Sequence, residues 1–121
     1  MDSLKDTLII NNLFDTQSLL DNLEWEQMKD GVSICKLYEA GDQGPVAALL
    51  HYQTGASMPE HQHMGYEHIL ILRGAQRDER HLYPAGTLSI QPPGVTHSIH
   101  AESGCIALAI WEKPVQFTPA T

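Results

Sequence analysis

Three side chains able to bind a metal, His61, His63 and Glu67, fall within seven residues of chain. Imidazole nitrogen and carboxylate oxygen together suit a divalent transition metal such as zinc, iron, manganese or nickel. His61 and His63 are two apart, which puts them on one face of an extended strand but on different faces of a helix. The segment is therefore expected to be a strand. Met64-Gly65-Tyr66 offers a bend, and Glu67 then opens E-H-I-L-I-L, which reads as a buried strand rich in branched apolar residues. A fourth donor, His97, ends the stretch from Gly86 in which Pro93-Gly94 suits a type II turn. All seven histidines lie between residues 51 and 100, a clustering that supports one metal-centred site without assigning every histidine to it. Any one of these residues alone reads as an ordinary satisfied or surface polar group. Burying all four with nothing bound would leave a costly polar cluster, which favours a metal.

A small barrel fills its interior with side chains from alternate positions. Ile69 and Ile71 share the parity of Glu67, and Ile99 and Ala101 share that of His97. These four, together with His51 on the preceding strand, are expected to wall a pocket beside the metal. His68 and His100 have the opposite parity and should face outward, and His81 adjoins a polar turn. No catalytic residue stands out beyond the ligands.

The elements that must position these residues are short strands at regular spacing. Strands are expected at 7–10, 25–28, 32–39, 46–53, 67–72, 87–91, 96–101 and 105–111, besides the H-x-H strand. Asp30-Gly31, Pro84-Ala85-Gly86 and Glu102-Ser103-Gly104 mark turns, and residues 76–80 should span a hairpin. Residues 15–22 read as a helical turn capped by Asp15 or Thr16. From Pro114 onward the chain has no periodicity and suits an extended tail over the barrel. This pattern predicts an all-β antiparallel barrel or double-sheet jelly roll. At 121 residues and 42% apolar composition, one domain spanning 1–121 is expected.

The formal net charge of −8 argues against a nucleic-acid or anionic-membrane surface. Its asymmetry, ten acids and three bases in residues 1–60, fits a solvated acidic face. No run approaches a membrane span, and the acidic start M-D-S-L-K-D is unlike a signal peptide, so a cytoplasmic location is expected. Cys35 and Cys105 lie in apolar runs without metal-site spacing and read as buried thiols.

The two histidine stretches resemble the motifs of the cupin superfamily. The first, G-x5-H-x-H-x3-E-x6-G, is filled at Gly55, His61, His63, Glu67 and Gly74. The second, G-x5-P-x-G-x2-H-x3-N, is met at Gly86, Pro92, Gly94 and His97 and departs at Ala101. P-E-H-Q-H-M-G-Y-E-H-I-L-I-L-R-G, Asp78-Glu79, Tyr83 to Thr87 and P-P-G-V-T-H are similar to the ChrR-type branch. The resemblance implies a double-stranded β-helix holding one divalent metal at His61, His63, Glu67 and His97. Related cupins are often dimers, which implies a homodimer. The branch includes a zinc-binding domain of an anti-sigma factor and acetylacetone-cleaving iron dioxygenases. The anti-sigma activity itself is not implied, because no Cys-rich helical segment precedes the barrel.

Two functions follow from coordination chemistry. Four protein ligands close a tetrahedral zinc, as in a sensor or binding module. The same four on octahedral iron, manganese or nickel leave room for a small organic substrate and oxygen, as in a dioxygenase. A sugar epimerase or isomerase ranks last, since it needs a further catalytic base. The departure at Ala101 favours an apolar or weakly polar ligand, because it removes an amide that a sugar could use. Ala101→Asn should fill that space and weaken ligand binding.

Overall fold

The computed structural model describes residues 4–119. Residues 1–3 and 120–121, which the expected domain includes, lie outside the described residues. Among the described residues the helix α1, Thr16–Asn22, precedes ten strands. Asp15 is its N-cap, and its carboxylate accepts from the Ser18 N–H. No helix of the described residues is long and apolar enough to cross a membrane.

The strands are β1 (Glu26–Lys29), β2 (Val32–Glu39), β3 (Val46–Tyr52), β4 (Ala56–Gln62), β5 (Glu67–Arg77), β6 (Leu82–Pro84), β7 (Leu88–Gln91), β8 (Thr96–Ala101), β9 (Cys105–Trp111) and β10 (Gln116–Phe117). They pair in the order β1-β2-β3-β9-β5-β8-β4-β10, with β6 and β7 added on β5. Every pairing is antiparallel, and the sheet curls into a jelly-roll half-barrel. Residues 7–10 depart from expectation and form no strand. Of their apolar side chains, Ile10, with Leu13, packs on the outer face of the sheet instead of joining its edge, and Leu8 and Ile9 are exposed.

β5 connects the two halves. Its first part pairs with β9 and β7, and Ala75–Arg77 pairs with β6 and then β8. The chain turns between them at Gly74, with φ +72°, where a Cβ would collide with the Gly104 carbonyl oxygen. A register shift lies just before it, between Ile71 and Arg73. Burial alternates from His61 to Ile71 on odd residues, and past the shift the even residues Gln76 and Asp78 are buried.

Two clusters make the core. Tyr52, Met58, Ile69, Ile71, Ile99 and Ala101 belong to the one inside the barrel. Leu19, Cys35, Leu49, Leu72 and Ile106 form the other, on the outer face under α1. Both thiols are free and buried, as their apolar runs imply. β3 is thus buried on both faces at its start, with α1 among the elements that cover the outer one. The cover stops short of β7, leaving Leu88 at 59% and Ile90 at 52% exposed, with Ile110 at 38%.

Candidate metal centre

The β4–β8 register sets His61 directly opposite His97. His63 follows β4, and the Pro93-Gly94 turn fastens it. The His63 N–H donates to the Val95 carbonyl at 2.9 Å, and the Gly94 N–H donates back to the His63 carbonyl at 2.8 Å. Gly94 has φ +94°, the conformation that the type II turn requires. Glu67 opens β5. His97 meets His61 and His63 edge to face, His61 and His63 are tilted to one another, and the ring centroids lie 4.7 to 5.3 Å apart. One nitrogen of each histidine lies within 4.8 Å of the other two. His63 and His97 are each 1% exposed, and His61 and Glu67 are also buried.

Each imidazole is held by its Nδ1. His61 Nδ1 lies 2.9 Å from the Pro59 carbonyl, His63 Nδ1 3.1 Å from Glu67 Oε1, and His97 Nδ1 2.9 Å from Asp78 Oδ2. A carbonyl only accepts, so His61 carries its proton on Nδ1 and offers a free Nε2 lone pair. The His63 and His97 Nε2 atoms are 2.9 Å apart. With His97 donating from Nδ1 to Asp78, its Nε2 must accept, so His63 donates from Nε2. His63 Nδ1 then accepts a hydrogen bond from the protonated Glu67 carboxyl. The charges agree with this chain of donors. Burial pushes Glu67 up to about 8, so it keeps its proton at neutral pH. Burial, with His97 and His61 nearby, brings His63 down to about 4. His61 is also lowered, by burial foremost, against the Pro59 hydrogen bond. Burial alone would raise Asp78, but hydrogen bonds from His97, the Arg80 N–H, Tyr83 and the His81 N–H outweigh it and hold the carboxyl well below its usual range.

Three nitrogen donors therefore converge in a dry site, and a proton sits between two of them. A divalent metal replacing that proton fits this donor set. Glu67 touches His63 and stands outside the group of three nitrogens.

A cavity of about 260 Å³ opens from the histidines. His61, Glu67 and His97 reach it, and Met58, Ile69, Ile99, Leu50, Tyr52 and Trp111 contribute to its wall. The tail covers its mouth: β10 pairs with β4, and Phe117 meets the His61 ring edge to face at 5.6 Å. Three of the expected wall residues lie elsewhere. Ile71 and Ala101, each 1% exposed, pack within the barrel core beyond the cavity. His51 has the opposite parity to Leu50 and Tyr52, so it faces outward, edge to face with Trp25 at 6.1 Å. Ala101→Asn would thus bury an amide in the core and destabilise the fold instead of filling a ligand space.

Sequence reasoning took Asp78 and Tyr83 only as marks of the resemblance and passed over Gln76; all three are buried and next to the site or its holders. Asp78 sits in D-E-R, which resembles a solvated hairpin. The parity of Glu67, carried forward unbroken, also points it outward. Only the register shift before Gly74 turns it in.

A ChrR cupin-like domain model matches residues 15–114. The anti-sigma-E factor ChrR of Cereibacter sphaeroides is 35% identical over 100 residues, which cover 81% of this chain and 46% of that protein. The chain thus spans less than half the length of this curated relative. The crystal structure of Rhodobacter sphaeroides SigE in complex with the anti-sigma ChrR superposes with a TM-score of 0.68 at 25% identity, over 89% of this chain and 71% of that one. An acetylacetone dioxygenase from Acinetobacter johnsonii superposes with a TM-score of 0.76 at 11% identity, over 98% and 81%, which shows a shared fold.

Proposed function

This chain belongs to the ChrR cupin-like domain family, and on that basis we propose that it is a non-catalytic metal-holding module. His61, His63 and His97 would hold one divalent transition metal, zinc foremost, with Glu67 as the fourth donor or as the carboxylate that holds His63. The observation that carries this reading is the convergence of three imidazole nitrogens, each ring fastened by its other nitrogen. A bound metal would supply a Lewis-acidic centre at the floor of the apolar cavity. The residues around it do the rest: Asp78, Glu67 and Pro59 orient the rings, and the cavity wall with Phe117 keeps bulk water out. A small apolar or weakly polar molecule is the ligand class that this wall suits.

One observation favours an enzyme as a second reading: the cavity reaches His61, Glu67 and His97 directly. Metal-free protein reconstituted separately with zinc and iron(II) distinguishes the two. The module reading expects one zinc per chain, a thermal shift with a small apolar acid or diketone, and no oxygen uptake with iron. Iron-dependent uptake with any such compound, lost in His97→Ala, would establish the oxygenase instead.

Proton linkage gives a second test. Glu67 raised to about 8 means that the metal-free site holds one proton that the metal must displace. Zinc binding should release about one proton between roughly pH 5 and 7.5, and apparent affinity should rise about tenfold per pH unit there before flattening above about 8. The lowered His61 and His63 push further steepening below the usual histidine range. Calorimetry in buffers of different ionisation enthalpy measures the proton count. No release at pH 6.5 would contradict a protonated Glu67.

We also propose a homodimer built on the uncovered face of β7 and β9. Light scattering at micromolar protein should give twice the chain mass, and Ile90→Lys should halve it. A monomeric wild type would remove the proposal.

A further inference from the structure

We propose that Asp78, outside both histidine stretches, is the positioning residue that makes His97 a metal donor; the inference rests on the metal reading above. Asp78 is buried at the end of β5, and its four acceptor positions are all used. Oδ1 accepts from the Arg80 and His81 N–H groups at 2.9 and 2.8 Å. Oδ2 accepts from the Tyr83 hydroxyl at 2.8 Å and from His97 Nδ1 at 2.9 Å. The first pair anchors the carboxylate to its own turn. The second pair aims it. Gln91 extends the network behind, donating to the Tyr83 oxygen at 3.4 Å and to Ser89 Oγ at 3.3 Å.

This arrangement does three things to His97. It fixes the ring plane along a line from Tyr83 through Oδ2. It fixes the tautomer, since an acceptor at Nδ1 leaves the lone pair on Nε2, the atom that faces His63. It also sets a negative charge behind the ring, which strengthens the hold of a ligating histidine on a cation. The other two rings are held differently. The Pro59 carbonyl is a neutral acceptor, and Glu67 is itself a candidate fourth donor. Charge accounting singles out Asp78 as well. A divalent cation with three neutral imidazoles and an ionised Glu67 leaves one positive charge in a buried site. Asp78 neutralises it, and a single uncompensated buried charge is strongly unfavourable.

The test uses the full chain, wild type, Asp78→Asn and Tyr83→Phe. Asparagine keeps the shape, and its carbonyl can still accept from the turn N–H groups. Its amide then faces His97 Nδ1 with a donor, which drives His97 to the other tautomer. Zinc affinity by chelator competition should fall about ten- to a hundred-fold in Asp78→Asn. Tyr83→Phe leaves the Asp78–His97 bond in place and should change it about threefold or less. Nitrogen-15 NMR of the His97 ring in metal-free wild type should show the proton on Nδ1, and in Asp78→Asn on Nε2. A His97 proton on Nε2 in the wild type would overturn the inference without any variant. Zinc bound equally tightly by wild type and Asp78→Asn would overturn it alone, even if the variant melts lower, since Asp78 would then only brace its turn. No metal bound by the wild type would remove the metal reading and this inference together.

Discussion

Replacing His61 and His63 together by alanine should abolish metal binding. The two side chains supply two of the three converging nitrogens. His97 and Glu67 remain, and two donors do not close a tetrahedral site. Structural zinc sites with four ligands bind with apparent free energies of about 10–16 kcal/mol, or roughly 2.5–4 kcal/mol per ligand. Losing two ligands should therefore weaken binding by about 5–8 kcal/mol, at least a thousandfold, which takes purified protein from about one metal per chain to none. Metal analysis of protein purified without an affinity tag reads this directly. His68→Ala and His100→Ala are the controls, because both side chains are exposed on the outer face and should leave metal content unchanged. Full retention of metal in the double variant would remove the site assignment. Loss in the controls would mean that the variants act through folding.

Much of this centre is legible in the chain because it is built from local spacing. The two-residue separation of His61 and His63 needs only the period of a strand. Glu67, Ile69 and Ile71 follow by the same alternation, and burial repeats it without a break. His97 is reached through a tight turn whose Pro93-Gly94 is readable by itself. Where the reading stopped, a non-local feature had intervened. The register shift between Ile71 and Arg73 reverses the parity of β5, so Asp78 enters the barrel although alternation sends it out. His51 has no local mark that tells its face from that of Leu50. Only the burial of Leu50 and Tyr52 toward the cavity decides it. Residues 7–10 have a strand's composition, but composition does not say whether an apolar segment joins a sheet edge or lies across a sheet face. Part of the cover for β3 came from α1, a tertiary choice that two apolar faces require without specifying.

Gly74→Ala should be among the most damaging single-atom additions to this fold, and Gly86→Ala should be mild by comparison. Both glycines belong to the two histidine stretches, and both have positive φ, +72° at Gly74 and +89° at Gly86. An alanine at either position takes on the strain of the left-handed region, about 1–2 kcal/mol. The surroundings differ. Nothing lies within 4 Å of a Cβ built at Gly86. At Gly74 the Cβ meets the Gly104 carbonyl oxygen, a backbone atom that also accepts from the Ala75 N–H at 3.2 Å. That oxygen cannot withdraw without breaking the contact that joins the bend of β5 to the β8–β9 turn. Overpacking of this kind adds about 1–3 kcal/mol or more. The total of about 2–5 kcal/mol is a large share of the stability of a domain this size, and it should lower the melting temperature by about 10 °C or more. Gly86→Ala should lower it by roughly 5 °C. The bend also aims Asp78, so Gly74→Ala should weaken zinc binding beyond its effect on folding, whereas Gly86→Ala should leave zinc affinity near that of the wild type. Thermal denaturation of the metal-free proteins, followed by zinc titration of whatever remains folded, measures both. Equal losses in the two variants would mean that backbone conformation alone, and not the approach of Gly104, requires glycine at the bend.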